Sequence, residues 1–304
     1  MLTSFLESVG QGLSEKWQER LFGPAFLFWG GGLLFWITPE RLPALWDELS
    51  ALPLVTQTGL LLGALLVLGA SDRLMETLSP HLLRWLEGYW PGPLAQVAAW
   101  LATWRRKRFD EQRNRLSALL LKKRESSLTW AEARQLARLE AWRLYTPRDA
   151  EDILPTRLGD ILRAAETRPR QRFGLDAVLL WPRLWLLLPE NVRSDLSAAR
   201  SRLDRLVQAF GWGALFLLWT FVWPWAWVIA LAWMWIAWQL ILQAALPFAD
   251  LVQSAFEVHR WRLYEAFRWP LPAESGAAEI AAGEALSRFV QRGLSEAPVQ
   301  YAAR

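Results

Sequence analysis

The chain has 304 residues, a formal net charge of +4, 22 tryptophans, two histidines and no cysteine. The lack of cysteine excludes disulfides, thiolate metal sites and thiol nucleophiles, and two histidines as distant as His81 and His259 disfavour a zinc or iron site built on imidazoles. Hydrophobic residues make up 53% of the chain; with tryptophan at several times its usual share, this favours a membrane protein over a Trp-rich soluble core, because indole rings settle at the lipid–water boundary.

At the start of the chain, Leu2, Phe5, Leu6, Val9, Leu13 and Trp17 recur at helical spacing. Residues 1–20 therefore read as an amphipathic helix, either lying on a membrane surface or packed on the protein's own polar part. Glu7, Glu15 and Glu19, with no basic stretch before an apolar core, argue against a signal peptide. Four uncharged runs follow: Leu21 to Thr38, Leu49 to Ser71, Leu206 to Trp223 and Trp225 to Leu246. Each is long enough, at about 1.5 Å per helical residue, to cross a hydrocarbon core roughly 30 Å thick. They predict two transmembrane hairpins, 21–71 and 206–246. Pro224 separates the last two runs, because one continuous helix of that length would far exceed the bilayer.

Between the hairpins, residues 72–205 hold most of the Lys and Arg, and residues 247–304 form a C-terminal region with Arg260, Arg262 and Arg268. With four crossings these basic flanks share one side, the cytoplasm by the positive-inside tendency, together with both termini. The insert reads as helical. Leu78 to Trp104 looks interfacial, interrupted by Arg84, Glu87, Pro91 and Pro93. Arg105, Arg106, Lys107 and Arg108 follow and are placed at lipid headgroups; a nucleic-acid role for them lacks any accompanying motif. A long helix runs to about Arg124, and Thr129 with Glu132 forms a capping box that opens the next. Further helices are predicted over 157–167 and 276–292. Gly174 to Pro189 is too short and too charged to span, and reads as buried or membrane-dipping.

Three phrases carry a resemblance: PTRLGD at 155–160, GLD at 174–176 continuing to WPRL at 181–184, and HRWRLYE at 259–265 continuing to WPLP at 269–272. They resemble phrases that recur in this order in a group of uncharacterised bacterial membrane proteins. The resemblance covers about the last half of the chain and implies a bacterial membrane protein, whose expected place is the cytoplasmic (inner) membrane. The order of elements, two crossings, a cytosolic helical insert and two crossings, is also similar in topology to bestrophin-type anion channels. No bestrophin sequence motif is matched, so no pore residue follows from it.

Chemistry-bearing motifs are sparse. The pairs Gly10 with Gly12 and Gly211 with Gly213 lack the third glycine of a nucleotide-binding loop, no nucleophile elbow is present, and His259 and Glu265 are spaced onto different helix faces. The chain reads as a non-enzyme without cofactor or metal. No Asp, Glu, Lys or Arg lies within an uncharged run, which argues against a pump or coupled transporter. Gly30, Gly31, Gly32, Gly59 and Gly63 read as helix-packing surfaces within or between subunits. Gln57, Gln239, Gln243 and Asp250 are the polar candidates for helix contacts or a hydrated path. In PTRLGD, Arg157 and Asp160 at i, i+3 read as a capped helix with a local ion pair, or as a conformational or subunit contact. The expectation is an all-α integral membrane protein that homo-oligomerises into a channel-like assembly. The alternative is a non-conducting anchor that recruits a cytosolic partner, and a lipid-acting enzyme ranks third.

Overall fold

Proline opens the first helix of the computed structural model, which describes residues 23–37, 42–272 and 274–293. The surface helix expected over 1–20 and the last residues of the tail lie outside the described residues. Pro24 stands at the first position of α1 (Pro24–Trp36), where its missing N–H is no loss and its fixed φ suits the helix. In chain order there follow α2 (Leu42–Ala51), α3 (Leu54–Glu87), α4 (Leu94–Glu125), α5 (Trp130–Leu144), a short turn of 3₁₀ helix (Ala150–Asp152), α6 (Arg157–Phe173), α7 (Ala177–Leu187) and α8 (Glu190–Phe216). A second 3₁₀ segment (Leu217–Phe221) leads to α9 (Ala226–His259), α10 (Trp261–Ala266) and α11 (Ala277–Arg292). The described residues contain no strand, so the fold is all-α.

Two of these helices, α3 and α9, are long and apolar enough to cross a membrane. Each runs well beyond its uncharged stretch. Nothing breaks α3 at Asp72, where the charge begins, and α9 continues through Pro247 to His259. The third apolar run is likewise the end of α8, which starts with a charged half at Glu190. At 13 residues, α1 spans about 20 Å, less than a hydrocarbon core of roughly 30 Å.

The chain divides into two units, residues 1–83 with 204–240, and residues 84–203 with 241–304. In the first, an aromatic cluster joins α1, α3, α8 and α9. Phe28 meets the Trp29 ring edge-on, with centroids 5.1 Å apart, and touches Trp212, Phe216 and Trp219. Met75, Ala226 and Ala230 close the cluster. The small residues make room for the indoles. A Cβ on Gly32 would lie 1.8 Å from the Trp219 ring, and on Gly213 3.2 Å from Trp233. The chain reverses at Trp223–Trp225: the Trp223 N–H still donates to Trp219 O at 2.8 Å, and past Pro224 the Ala226 N–H donates to Trp223 O at 3.0 Å. Phe216 then faces Trp233 at 5.9 Å, so α8 and α9 fold back on each other as the proline predicts. Part of the tryptophan content thus fills an interior, while Trp225, Trp227 and Trp235 remain exposed.

The second unit is built on α6, α7, α10 and α11. Leu158, Leu175, Leu180, Leu184, Leu263 and Leu286 are completely buried. Gly174 ends α6 in the left-handed region (φ 72°), its N–H bonded to Arg170 O at 2.9 Å, and Leu175 N–H reaches Pro169 O. A Cβ there would meet Ile280 O at 2.0 Å, and one on Gly283 would meet Phe173 O at the same distance, so α6 and α11 touch backbone to backbone. Ser287 pins the crossing by donating to Gly174 O and accepting from Asp176 N–H at 3.0 Å. The Asp176 carboxylate in turn caps α7 through Leu179 N–H. The segment 174–189 thus contains a short helix whose Leu180 and Leu184 are core. The α4–α5 pair is a separate arm. Its predicted capping box is formed, Thr129 and Glu132 satisfying each other's backbone N–H, and Lys122 holds Glu132 across the turn. Phe109 and Trp142 stack where the two helices return to the core.

Candidate functional site

In the second unit the phrase at 155–160 forms a joint in which every residue but Arg157 has a packing or bonding role. Gly88 (φ 105°) ends α3, and Pro155 lies so close that a Cβ on Gly88 would be 2.7 Å from it. The Thr156 hydroxyl donates to Glu87 O at 3.0 Å and accepts from Gly159 N–H at 3.0 Å, binding the end of α3 while capping α6. Leu158 is fully buried, and Gly159 lets the Glu87 carbonyl approach to where a Cβ would be only 2.3 Å away. Asp160 is 4% exposed; its carboxylate accepts from Leu154 N–H at 2.9 Å and from the Arg105 guanidinium, which also donates to Leu154 O at 3.0 Å. Burial lifts the Asp160 carboxyl above its usual range, and Arg105 opposes that shift. The ion pair expected between Asp160 and Arg157 is not the one formed; Arg157 is exposed instead.

Beside this joint lies a cleft of about 550 Å³ between α4, α5 and α6. Arg105, Arg108, Arg138 and Arg157 line it, against the single carboxylate of Asp160, with Trp104 and Trp142 as apolar walls. Arg108 lies 3.8 Å from the centre of the Trp104 ring, a cation–π contact. The basic quartet read as a headgroup contact is therefore divided. Arg105 serves the joint, Arg106 donates to Glu151 O at 3.1 Å, Arg108 borders the cleft, and Lys107 is exposed.

The other sequence candidates are dispersed. The Gln57 amide donates to Ser50 O and Leu52 O and so closes the end of α2. Gln239 and Gln243 are exposed, one turn apart on α9. Asp250 accepts from the Tyr145 hydroxyl at 2.9 Å, which ties α9 to α5. Gly30 faces its own Phe26, and Gly31 and Gly32 pack against Phe216 and Trp219. Gly59 and Gly63 have open space in front of them among the described residues. No group of three His, Asp or Glu that could hold a metal occurs among the described residues.

A further group of ionisable residues surrounds the end of α3 without having been legible in sequence. Burial first, and then the negative charge of Glu166, push the Glu87 carboxyl up to about 7; Arg200 and Arg84 pull the other way. Glu87 lies well past Ser71, outside the uncharged part of α3. Burial likewise raises Glu166, although Arg163, which also holds Asp152 at 2.8 Å, lies 3.6 Å from it. Comparison with family models, curated proteins and solved structures finds no match to this chain.

Proposed function

We propose that the protein crosses the bacterial inner membrane four times, keeps both termini and its helical insert in the cytoplasm, and assembles with copies of itself into a channel-like structure. The observation that carries this reading is the pair of exposed amides on α9. Gln239 and Gln243 lie one turn apart on α9, in a stretch from Ala226 to Ala249 that is otherwise apolar, and both are exposed. An amide in hydrocarbon without a partner costs on the order of several kcal/mol, so that face belongs against another subunit or a hydrated path. The apolar stretch of α3 supports assembly in the same way, since none of it is buried and Gly59 and Gly63 front open space among the described residues.

The anchor reading keeps one specific support. At the tip of the α4–α5 arm, Leu121 and Trp130 are exposed beside Lys123 and Arg124, a surface suited to an acidic-apolar partner. Native mass of the detergent-purified protein separates the two. A closed ring of four or more subunits is expected, and Gln239→Leu with Gln243→Leu should then change ion flux in reconstituted bilayers. A monomer or simple dimer, or flux indifferent to both substitutions, would sink the channel reading.

A further inference from the structure

A second cavity in the same unit, about 220 Å³, lies where the end of α5 meets α6 and α9. Its wall holds four guanidiniums, Arg143, Arg148, Arg168 and Arg172, against the one carboxylate of Glu257. Arg172 takes that carboxylate. The bonds of Arg168 go to neutral oxygens: Gln253 Oε1 at 2.8 Å, Arg143 O at 2.9 Å and Leu144 O, the last two being free carbonyls at the end of α5. Since the amide oxygen of Gln253 faces Arg168, its NH₂ is turned elsewhere. That NH₂, Arg143 Nη1 and Arg168 Nε are all buried without a hydrogen-bond partner. All three are donors, and they belong to residues lining one cavity. The surplus is therefore of one sign and one kind, positive charge and N–H groups. Buried donors of this sort cost on the order of 1–3 kcal/mol each until an acceptor reaches them. The electrostatics agree. Burial first, then the cations around them, hold the Arg143 and Arg168 guanidiniums below their usual range; Arg148 acts on both, Arg113 on Arg143 and Arg143 on Arg168, while Asp149 on Arg143, and Asp250 and Glu257 on Arg168, pull less strongly the other way.

We propose that this cavity binds a phosphate group, gripped by Arg143, Arg148 and Arg168 with the Gln253 amide as a further donor. A phosphate has the negative charge that offsets three guanidiniums that hold no carboxylate in an ion pair among the described residues. Its several acceptor oxygens match the planar forks of arginine, which bind it in pairs of parallel bonds. A carboxylate brings one charge and fewer acceptors. The group arrives either on a soluble molecule or as the headgroup of an anionic lipid, and the chemistry of the wall is the same for both. The site shares no residue with the α9 amides that carry the channel reading, so either one stands if the other fails.

The test uses the full chain in detergent, with inorganic pyrophosphate followed by calorimetry and by melting temperature, and phosphatidylglycerol followed by native mass. Arg168 also closes α5, so the decisive variant is Arg143→Gln with Arg148→Gln, which leaves that cap in place. Lys123→Gln with Arg124→Gln, at the tip of the arm, removes the same charge elsewhere. Pyrophosphate binding that weakens at least about tenfold in the arginine variant and not in the tip variant supports the site with a soluble ligand; that factor corresponds to about 1.4 kcal/mol, close to the least that one charge-assisted bond contributes. Retention of phosphatidylglycerol with the same dependence, and no response to pyrophosphate, supports it with a lipid ligand. Binding of neither by the unaltered protein, or equal loss in both variants, overturns it.

Discussion

Glu87 shows how one residue can be tied into the fold in two conflicting ways. Its carbonyl anchors Thr156 and lies against Gly159, so its backbone position is fixed by the joint. Its carboxyl is then held in a half-buried place near Glu166, where burial and like charge raise it to about 7. In the unfolded chain the same group titrates near ~4.3. The folded state therefore holds this proton more tightly. Stability from this group is greatest below the unfolded value, falls as pH rises from there to about 7, and is level above. Glu87→Gln keeps the shape and removes the charge. The variant is expected to melt higher than the parent at pH 8 and equally at pH 4. A variant that melts lower at pH 8 would show that the ionised carboxylate is stabilising, through Arg84 or Arg200. None of this is legible in sequence, because Glu87 and Glu166 are 79 positions apart and only the joint brings them together. The phrases themselves were legible as unusual. Their residues, from Pro155 and Thr156 to Gly174, Asp176 and Tyr264, turn out to build crossings and caps, with Arg260 held by Glu279 at 2.7 Å and lying over Phe173.

Among the elements, features set by sequence neighbours are legible in the sequence and those set by distant partners are not. The capping box at Thr129 and the reversal at Pro224 depend on neighbours within a few residues, and each appears where the sequence puts it. The lengths of α3, α8 and α9 do not, because a change from apolar to charged alters what a helix faces without ending it. Glycine shows the same division. Gly59 and Gly63 stand out in sequence by their spacing, yet a Cβ on either meets nothing within 4 Å among the described residues. Gly283 has no such signature, yet it is where α11 lies against α6, with Phe173 O only 2.0 Å from where a methyl would sit. That neighbour is backbone and cannot swing aside. Gly283→Ala is expected to cost on the order of 1–3 kcal/mol, read as a lowered denaturation midpoint of the second unit. Gly59→Ala and Gly63→Ala are expected to leave that midpoint unchanged and, on the assembly reading, to lower the subunit count in native mass. Ala favours a helix over Gly by about 1 kcal/mol, so a midpoint that does not fall on Gly283→Ala would show that the close approach is not what sets the cost at this position.

For the molecule as a whole, the arrangement to be settled is which parts lie on which side of the bilayer. The absence of cysteine makes that question clean, because any thiol introduced is the only one in the chain. Two exposed positions discriminate. Trp225 sits in the reversal between α8 and α9, flanked by uncharged chain on both sides; Lys123 is near the tip of the α4–α5 arm, inside the basic insert. With four crossings and a cytoplasmic insert, these two positions face opposite compartments. Trp225→Cys should react with a membrane-impermeant maleimide in intact cells with a permeable outer membrane, while Lys123→Cys should react only after the inner membrane is opened. If both react in intact cells, the insert is outside and the charge argument has the orientation reversed at that end. If neither reacts until lysis, α8 and α9 do not carry the chain across. The exposed apolar faces of α3 and α9 would then have to be covered by other protein, which would move the weight to the anchor reading and to the Leu121 and Trp130 surface at the tip of the arm.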